Sequence, residues 1–557
     1  MARWVQRLLG CAGALAWFAT ACGGGEAQSR SHGSGGEGAA CPGCQAGGAE
    51  AGAGGAEAGA GGAEAGTGGA EAGTGGAEAG TGGAEGGAFG AGSGFDAAGA
   101  GGSDTQMPAA QAKIGEVSLW QALRIPLALH GASVSPNAPI VRNKEGIVRV
   151  YVAPEAGFRA RPLSVLLEWG SLAFESKKAI LSPSRDAEFS TTFNFPLDGS
   201  RVVAGVSYSV TLRDELDGQI LDRFPSSGRS PLGVSTTTVA SQLELVVVPI
   251  VVAGEEPDVT PATLERFRAR LFSMYPLAAL SLTTHSPVVT TLSVGFDQGW
   301  GALLDLLYTL RAADAPAPNV FYYGLFTPKK RFQDYCVRDC TVGYSVVAQA
   351  DDVDSRGAIG LGVFSDGSNA DAPDTLAHEL GHALGRQHAP CDVSTQDVGP
   401  FPYPGGKIGV WGFDSQHHLL LDPLLYGDVM GYCSPDWISD FTYQAIFERL
   451  QRVNGELTAK SRWLGQSAAS YRRLLLGSDG SLAWGSRFTP SRAPAGTTRE
   501  VQLLARDGRI LSSYLAPFRP YSAAEGGFLL IPEAWLVARG AGVRLAVAGH
   551  SLDLPAP

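Results

Sequence analysis

The run His378-Glu379-Leu380-Gly381-His382-Ala383-Leu384-Gly385-Arg386-Gln387-His388 gathers three histidines in a chain that has 9 in 557 residues, so composition does not account for the cluster. Residues four apart on a helix lie ~40° apart around its axis and ~6 Å apart along it. His378 and His382 therefore project from one face, within reach of one ion. Glu379 sits beside that face and can reach a water without being a ligand. Gly385 lets the chain leave the helix through left-handed backbone that other residues resist, and the turn presents His388 as a third nitrogen. Three nitrogens and one open position describe a catalytic zinc site, whereas a structural site closes with four ligands. The implied cofactor is one zinc ion per chain. Such an ion lowers the pKa of its bound water toward ~7 and polarises a carbonyl. Glu379 takes the water's proton and delivers it to the leaving amine. The chemistry is hydrolysis of a peptide bond without a covalent intermediate.

This segment resembles the signature of the metzincin superfamily of zinc endopeptidases. A second metzincin hallmark is a methionine turn beneath the metal, and Asp428-Val429-Met430-Gly431-Tyr432-Cys433 is similar to it. The resemblance implies that Met430 packs under the imidazoles without binding metal. It implies that Tyr432 acts as an extra ligand or transition-state donor, as a tyrosine does in astacins and serralysins. In a metzincin the end of the zinc helix and the methionine turn are neighbours, so Cys391 is expected to pair with Cys433, leaving Cys336 and Cys340 to pair locally. Four cysteines allow three connectivities, and a crossed pairing is the alternative. The stretch Ala358 to Phe364 resembles the metzincin edge strand, to which an extended peptide adds by backbone pairing; a plain structural strand is the other reading. After His388, Ala389-Pro390-Cys391 carries none of the family-marking residues of astacins, matrixins or adamalysins. The broader likeness is to large secreted bacterial metzincins, including mucin-degrading ones. It covers residues 378–433, with softer support from 241 to 457.

The elements that must position these residues are legible from pattern. Leu243 to Val252 reads as a buried strand. Thr260-Pro261 supplies an N-cap and first-turn proline for a helix with Leu264, Phe267, Leu271 and Met274 on one face. A second helix is expected from about Asp297 to Ala312, with Trp300, Leu303, Leu304, Leu307 and Leu310 at helical spacing. Strands are expected at Val320–Phe326, Tyr344–Ala348 and Ala358–Phe364, and the zinc helix opens near Pro373 with Asp371 as its cap. Two weaker ligand candidates stand nearby. His417-His418 reads as a solvated pair in a loop. Asp351, Asp352 and Asp354 could bind Ca2+, but they lack the glycine and distal glutamate of an EF-hand and read first as a solvated acidic loop.

The flanks differ in kind. Arg3 and Arg7, then an apolar stretch to Ala21, form an export signal over residues 1–21. Ala19-Thr20-Ala21-Cys22 resembles a bacterial lipoprotein signal, which implies lipidation at Cys22; an ordinary cleaved signal is the alternative, and both mean export. No later run approaches the ~20 residues of a spanning helix. Residues 22–112 hold 33 of the 76 glycines, far above an average share, with a seven-residue unit repeating from Gly47 to Ala88. No position of the unit is large and apolar, so it is no coiled coil and reads as a flexible tether. Cys41-Pro42-Gly43-Cys44, without a partner pair, reads as a local disulfide or inert thiols.

Residues 113–240 alternate in strand fashion and predict a β-sandwich of immunoglobulin-like type. Residues 241–457 predict an α/β (α+β) metallopeptidase domain. Residues 458–557, with hairpin signals at Asp479-Gly480 and Asp507-Gly508, predict a second β-domain. The formal net charge is −12 and no basic run suggests nucleic acid.

The whole reads as a multidomain, exported zinc endopeptidase, secreted or held at the cell envelope, that acts on protein or glycoprotein outside the cell. Its only membrane contact is the N-terminal lipid. Two other readings stand beside it: a surface binding protein with a vestigial zinc site, and a zinc amidase acting on cell-wall peptide.

Overall fold

The computed structural model describes residues 111–234, 241–337, 340–393, 398–459, 469–490, 493–523, 525–537 and 544–553. The expected signal, lipidation at Cys22, the Cys41/Cys44 pair and the glycine-rich repeats lie outside the described residues. The described residues are β-rich with few helices and fall in one compact unit. No helix among them is long and apolar enough to cross a membrane.

The first region is built from two antiparallel sheets. One contains Ala112–Gln121, Leu123–Leu129, Gly146–Pro154 and Phe193–Leu197; the other contains Arg161–Trp169, Leu172–Ile180, Ser207–Asp214 and Ile220–Phe224. Alternate residues point to opposite faces of a strand. Val117, Leu119, Val148 and Val150 of one sheet thereby share a buried core with Val165, Leu167, Val210 and Leu212 of the other. The first strand opens at Ala112.

The central region is a mixed sheet between helices. β1 (Gln242–Val252), β2 (Ala279–Thr284), β3 (Val320–Phe326), β4 (Gly343–Tyr344) and β5 (Gly357–Leu361) lie in the order β2-β1-β3-β5-β4. All neighbours are parallel except β4, which runs antiparallel to β5 through Gly343↔Gly360 and Tyr344↔Ile359. β1 is nearly continuous in apolar residues because both its faces are covered. Leu243, Leu245 and Val247 face a core shared with α1 (Pro261–Met274) and α3 (Ala372–Ala383). Val248, Ile250 and Val252 face α2 (Trp300–Asp314).

Thr260 caps α1 as expected, its side chain accepting from the Thr263 amide, with Pro261 in the first turn. Asp371 stands at the start of α3 but makes no side-chain capping bond. α4 (Asp440–Ala459) follows the methionine segment. Two assignments change. β5, expected as the edge, lies between β3 and β4, and β4 is the edge strand. The strand expected over Tyr344–Ala348 pairs with β5 only at its start.

The last region is a seven-stranded antiparallel sheet that contains both expected hairpins, at Leu476/Leu482 and Leu504/Ile510. Strand alternation splits its side chains cleanly. Phe528 and Leu530 join the core around α2, while Leu529 and Ile531 join a separate core with Val501, Phe518 and Leu545. Two arginines fix it to the central region. Arg519, whose side chain is 0% exposed, binds Asp352 through both nitrogens of its fork, with Nη2 at 2.7 Å. Arg473 reaches Asp305 at 3.3 Å, and the same carboxylate accepts from the Ser486 amide and hydroxyl at 2.8 Å. Asp352 stays 12% exposed and also accepts from the Gln349 amide, so losing its arginine costs on the order of 2–3 kcal/mol, less than the about 3–5 kcal/mol of a fully buried pair. Arg519→Ala is therefore expected to lower the unfolding free energy by about 2–3 kcal/mol, read from urea denaturation of parent and variant.

Candidate metal centre

α3 is buried almost all round, since Thr375 through Ala383 are covered without a break. Such a helix lies in an interior and presents chemistry there, not to solvent. Its end is set by Gly385, at φ +85°. The Arg386 amide reaches back to the Gly381 carbonyl at 2.9 Å, and the Gly385 amide to the His382 carbonyl at 2.7 Å. These two bonds are the glycine-terminated C-cap expected of a chain that reverses after a helix. A Cβ at Gly385 would also overlap the Arg449 guanidinium.

The reversal brings His388 back over the helix. The ligand-capable atoms of His378, His382 and His388 lie within 4.8 Å of one another, all three residues buried, the only such grouping among the described residues. His378 Nε2 and His382 Nε2 are 3.1 Å apart. Two nitrogens on a tetrahedral zinc with bonds of ~2.0–2.1 Å stand about 3.3 Å apart. The outer ring nitrogens fix the tautomers. His378 Nδ1 is 2.7 Å from the Val429 carbonyl, and His382 Nδ1 is 2.7 Å from the Arg386 carbonyl. A carbonyl only accepts, so each Nδ1 carries the proton and each Nε2 turns a lone pair inward. Burial depresses His378 to about 4 from its ordinary 6.5 and drives His382 well below 6.5, with the neighbouring histidines adding to the effect. Both rings are thus neutral, as metal ligands must be. The donor set fits a zinc ion.

Met430 is 1% exposed and lies beneath the helix. A side chain at Gly381 would overlap its sulfur, so the glycine is what admits the thioether. The turn is organised by Asp428, which the sequence reading passed over. Its fully buried carboxylate accepts from the Met430 amide at 2.9 Å and the Ser439 amide at 3.0 Å. The Ala389 amide donates to the Met430 carbonyl at 3.0 Å, and the Tyr432 amide to the Cys391 carbonyl at 2.9 Å. Cys391–Cys433 links the same two strips, and Cys336–Cys340 closes a local loop, the two pairs that the resemblance implied. Half-buried Tyr432 holds its ring 4.9 Å from His388 and 5.6 Å from His378, centre to centre.

Glu379 is buried beside the triad. Burial raises its carboxyl to about 8, and a hydrogen bond from Ser522 opposes that rise. Its walls are close. A Cβ at Gly343 of β4 would stand 2.5 Å from Glu379 Cγ and 2.6 Å from Oε1.

The weaker candidates lie elsewhere. His417 pairs with Asp414 at 2.7 Å in an exposed turn between Gly412–Asp414 and Leu419–Leu421, two short strands that extend the first region's sheet. Asp351 pairs with Arg452 at 2.7 Å and Asp352 with Arg519, and Asp351, Asp352 and Asp354 form no grouping at ligand spacing among the described residues.

A family model described as Peptidase M66 matches residues 348–436, a span that holds all three histidines, Glu379 and Met430. The match supports a metallopeptidase. No curated protein matches this chain. Among solved structures, a calcium-binding mutant of Bacteroides uniformis beta-glucuronidase 2 is similar at 8% identity and a TM-score of 0.14, covering 39% of this chain and 29% of that one. A chaperone–substrate complex is similar at 12% identity and a TM-score of 0.22, covering 47% of this chain and 39% of that one. This chain thus spans well under half the length of either, and likenesses at these TM-scores carry no argument.

The site's protonation sets how the metal-free protein responds to pH. Between about 4 and 6.5 the unfolded chain protonates histidines that the folded chain keeps neutral, so their part of the stability falls as pH drops through that window. Glu379 has the opposite sign. The folded chain holds its proton up to about 8 while the unfolded chain releases it near 4.5, so its contribution is full below 4.5 and disappears as pH rises through 8. Thermal melts of the metal-free protein from pH 5 to 9 are expected to show a steeper alkaline decline for the parent than for Glu379→Gln. Parallel curves would refute the assignment.

Proposed function

We propose that this chain is an exported zinc metalloendopeptidase of metzincin type, acting on protein or glycoprotein outside the cell. The observation that carries the reading is the convergence of three buried imidazoles beside a buried carboxyl, within the span that the Peptidase M66 model matches. His378, His382 and His388 would hold the metal. Zinc, when bound, supplies Lewis acidity, which acidifies a water and polarises the scissile carbonyl. Glu379 takes the proton of the attacking water and returns it to the departing amine. Tyr432, beside His378 and His388, donates to the oxygen on which charge develops. Met430 and the Cys391–Cys433 link keep the floor of the site fixed.

The strand order with its antiparallel edge supports the metzincin reading, and so does the glycine that ends the zinc helix. The sheet edge that lies against Glu379 is β4 and not β5. Export, a lipid at Cys22 and a flexible tether belong to the same proposal. A body held off a membrane on a long spacer suits an enzyme whose substrates are large.

The test uses the exported protein on casein, mucin and peptidoglycan. The parent is expected to carry about one zinc per chain, to cut protein substrates, to lose activity to a chelator and to regain it with zinc. Glu379→Ala should keep the metal while turnover falls by orders of magnitude. A variant as active as the parent would overturn the mechanism, and turnover of peptidoglycan alone would turn the reading to an amidase.

A further inference from the structure

Glu379 has a partner that comes from the last region of the chain. Ser522 Oγ donates to Glu379 Oε2 at 2.8 Å across a separation of 143 residues, and both side chains are buried. The serine is held on its other side as well. Its Oγ accepts from the Ser345 amide at 2.8 Å, and its own amide donates to the Ser345 carbonyl at 2.9 Å. With a lone pair committed to an amide, the hydroxyl proton has one direction left, toward the carboxylate.

The contact is part of a larger junction. Val346 pairs with Tyr521 as an antiparallel bridge, and the Val347 amide reaches the Pro520 carbonyl at 3.3 Å. Residues 520–522 therefore run as a short strand along the continuation of β4. Arg519, the residue before them, is locked onto Asp352. Ser522 is thus presented from backbone that is paired to the strip after β4 and preceded by a fixed arginine.

We propose that Ser522 is a positioning residue for Glu379, and that the C-terminal sheet is a working part of the site; this rests on the peptidase reading above. A glutamate side chain has three rotatable bonds, and its two carboxylate oxygens are equivalent until one is engaged. Ser522 engages Oε2. Gly343 leaves room on the Oε1 side. The carboxylate is then held in one rotamer with one oxygen free to receive a proton. Partners of this kind, which orient a reacting group without touching substrate, typically contribute ~10–100-fold to activity.

The experiment compares full-length parent, Ser522→Ala and Ser522→Thr, each loaded with zinc. Zinc content and thermal unfolding report on integrity, and kcat and KM on casein report on turnover. Crystal structures of the zinc-loaded proteins report on the Glu379 rotamer. Ser522→Ala is expected to keep its zinc and its KM, to lose ~10–100-fold in kcat, and to show Glu379 in more than one rotamer. Ser522→Thr, which keeps the hydroxyl, should restore kcat and the single rotamer. Parent kcat in Ser522→Ala, or an unchanged single rotamer there, overturns the proposal. So does a Ser522→Thr that folds and binds zinc yet stays as slow as the alanine variant. Should the parent cut no protein while the rotamer still spreads in Ser522→Ala, the peptidase reading fails and the positioning contact stands.

Discussion

Neutral imidazoles with their lone pairs turned toward one another are the constraint on which this structure depends. Two such nitrogens 3.1 Å apart repel unless a cation lies among them. Much of the central region serves to place them around one such position. Backbone carbonyls of Val429 and Arg386 fix two tautomers. Gly385 makes the turn that returns His388. Met430 fills the floor because Gly381 has no side chain to exclude it. The disulfide and two amide–carbonyl bonds tie the strip after the helix to the strip after Asp428. Each of these fixes the position of a ring or of the strip that carries it, which is how a binding site is held to a set geometry.

Glu379 shows the same economy with opposite sign. Burial alone favours its neutral form, and the Ser522 hydroxyl works against burial by stabilising the anion. A divalent charge beside it acts in the same direction as the hydroxyl. The carboxyl is thus poised between two environments, one dry and one cationic, and the residues around it decide how sharply it is held while that balance shifts.

What the sequence made legible was local. A histidine pair at helical spacing, a glycine after it, and a methionine in a short turn are patterns whose meaning lies within a few residues. The two hairpins, the threonine–proline start of α1 and the buried run of β1 were legible for the same reason. What it hid depends on neighbours that sequence order does not reveal. Ala358 to Phe364 looks like any apolar strand, and only the assembled sheet gives the edge to β4. Asp351 and Asp352 look like a solvated acidic loop until Arg452 and Arg519 arrive from elsewhere. Ser522 carries no signal at all, being one serine in a polar stretch far downstream. Asp428 could have been found, since an acid just before a tight turn commonly accepts its amides. Asp371 marks the start of α3 as expected yet makes no side-chain capping bond.

The junction between residues 520–522 and the strand after β4 has a bearing on how the molecule comes into being. A polypeptide is synthesised from its N-terminus, so the histidine strip exists well before the stretch that closes over its carboxyl. Until that late stretch has been made and has folded down, the sheet has a bare edge and Glu379 lacks its fixed neighbour. The surroundings of Glu379 are consequently among the last parts of the central region that the nascent chain can complete.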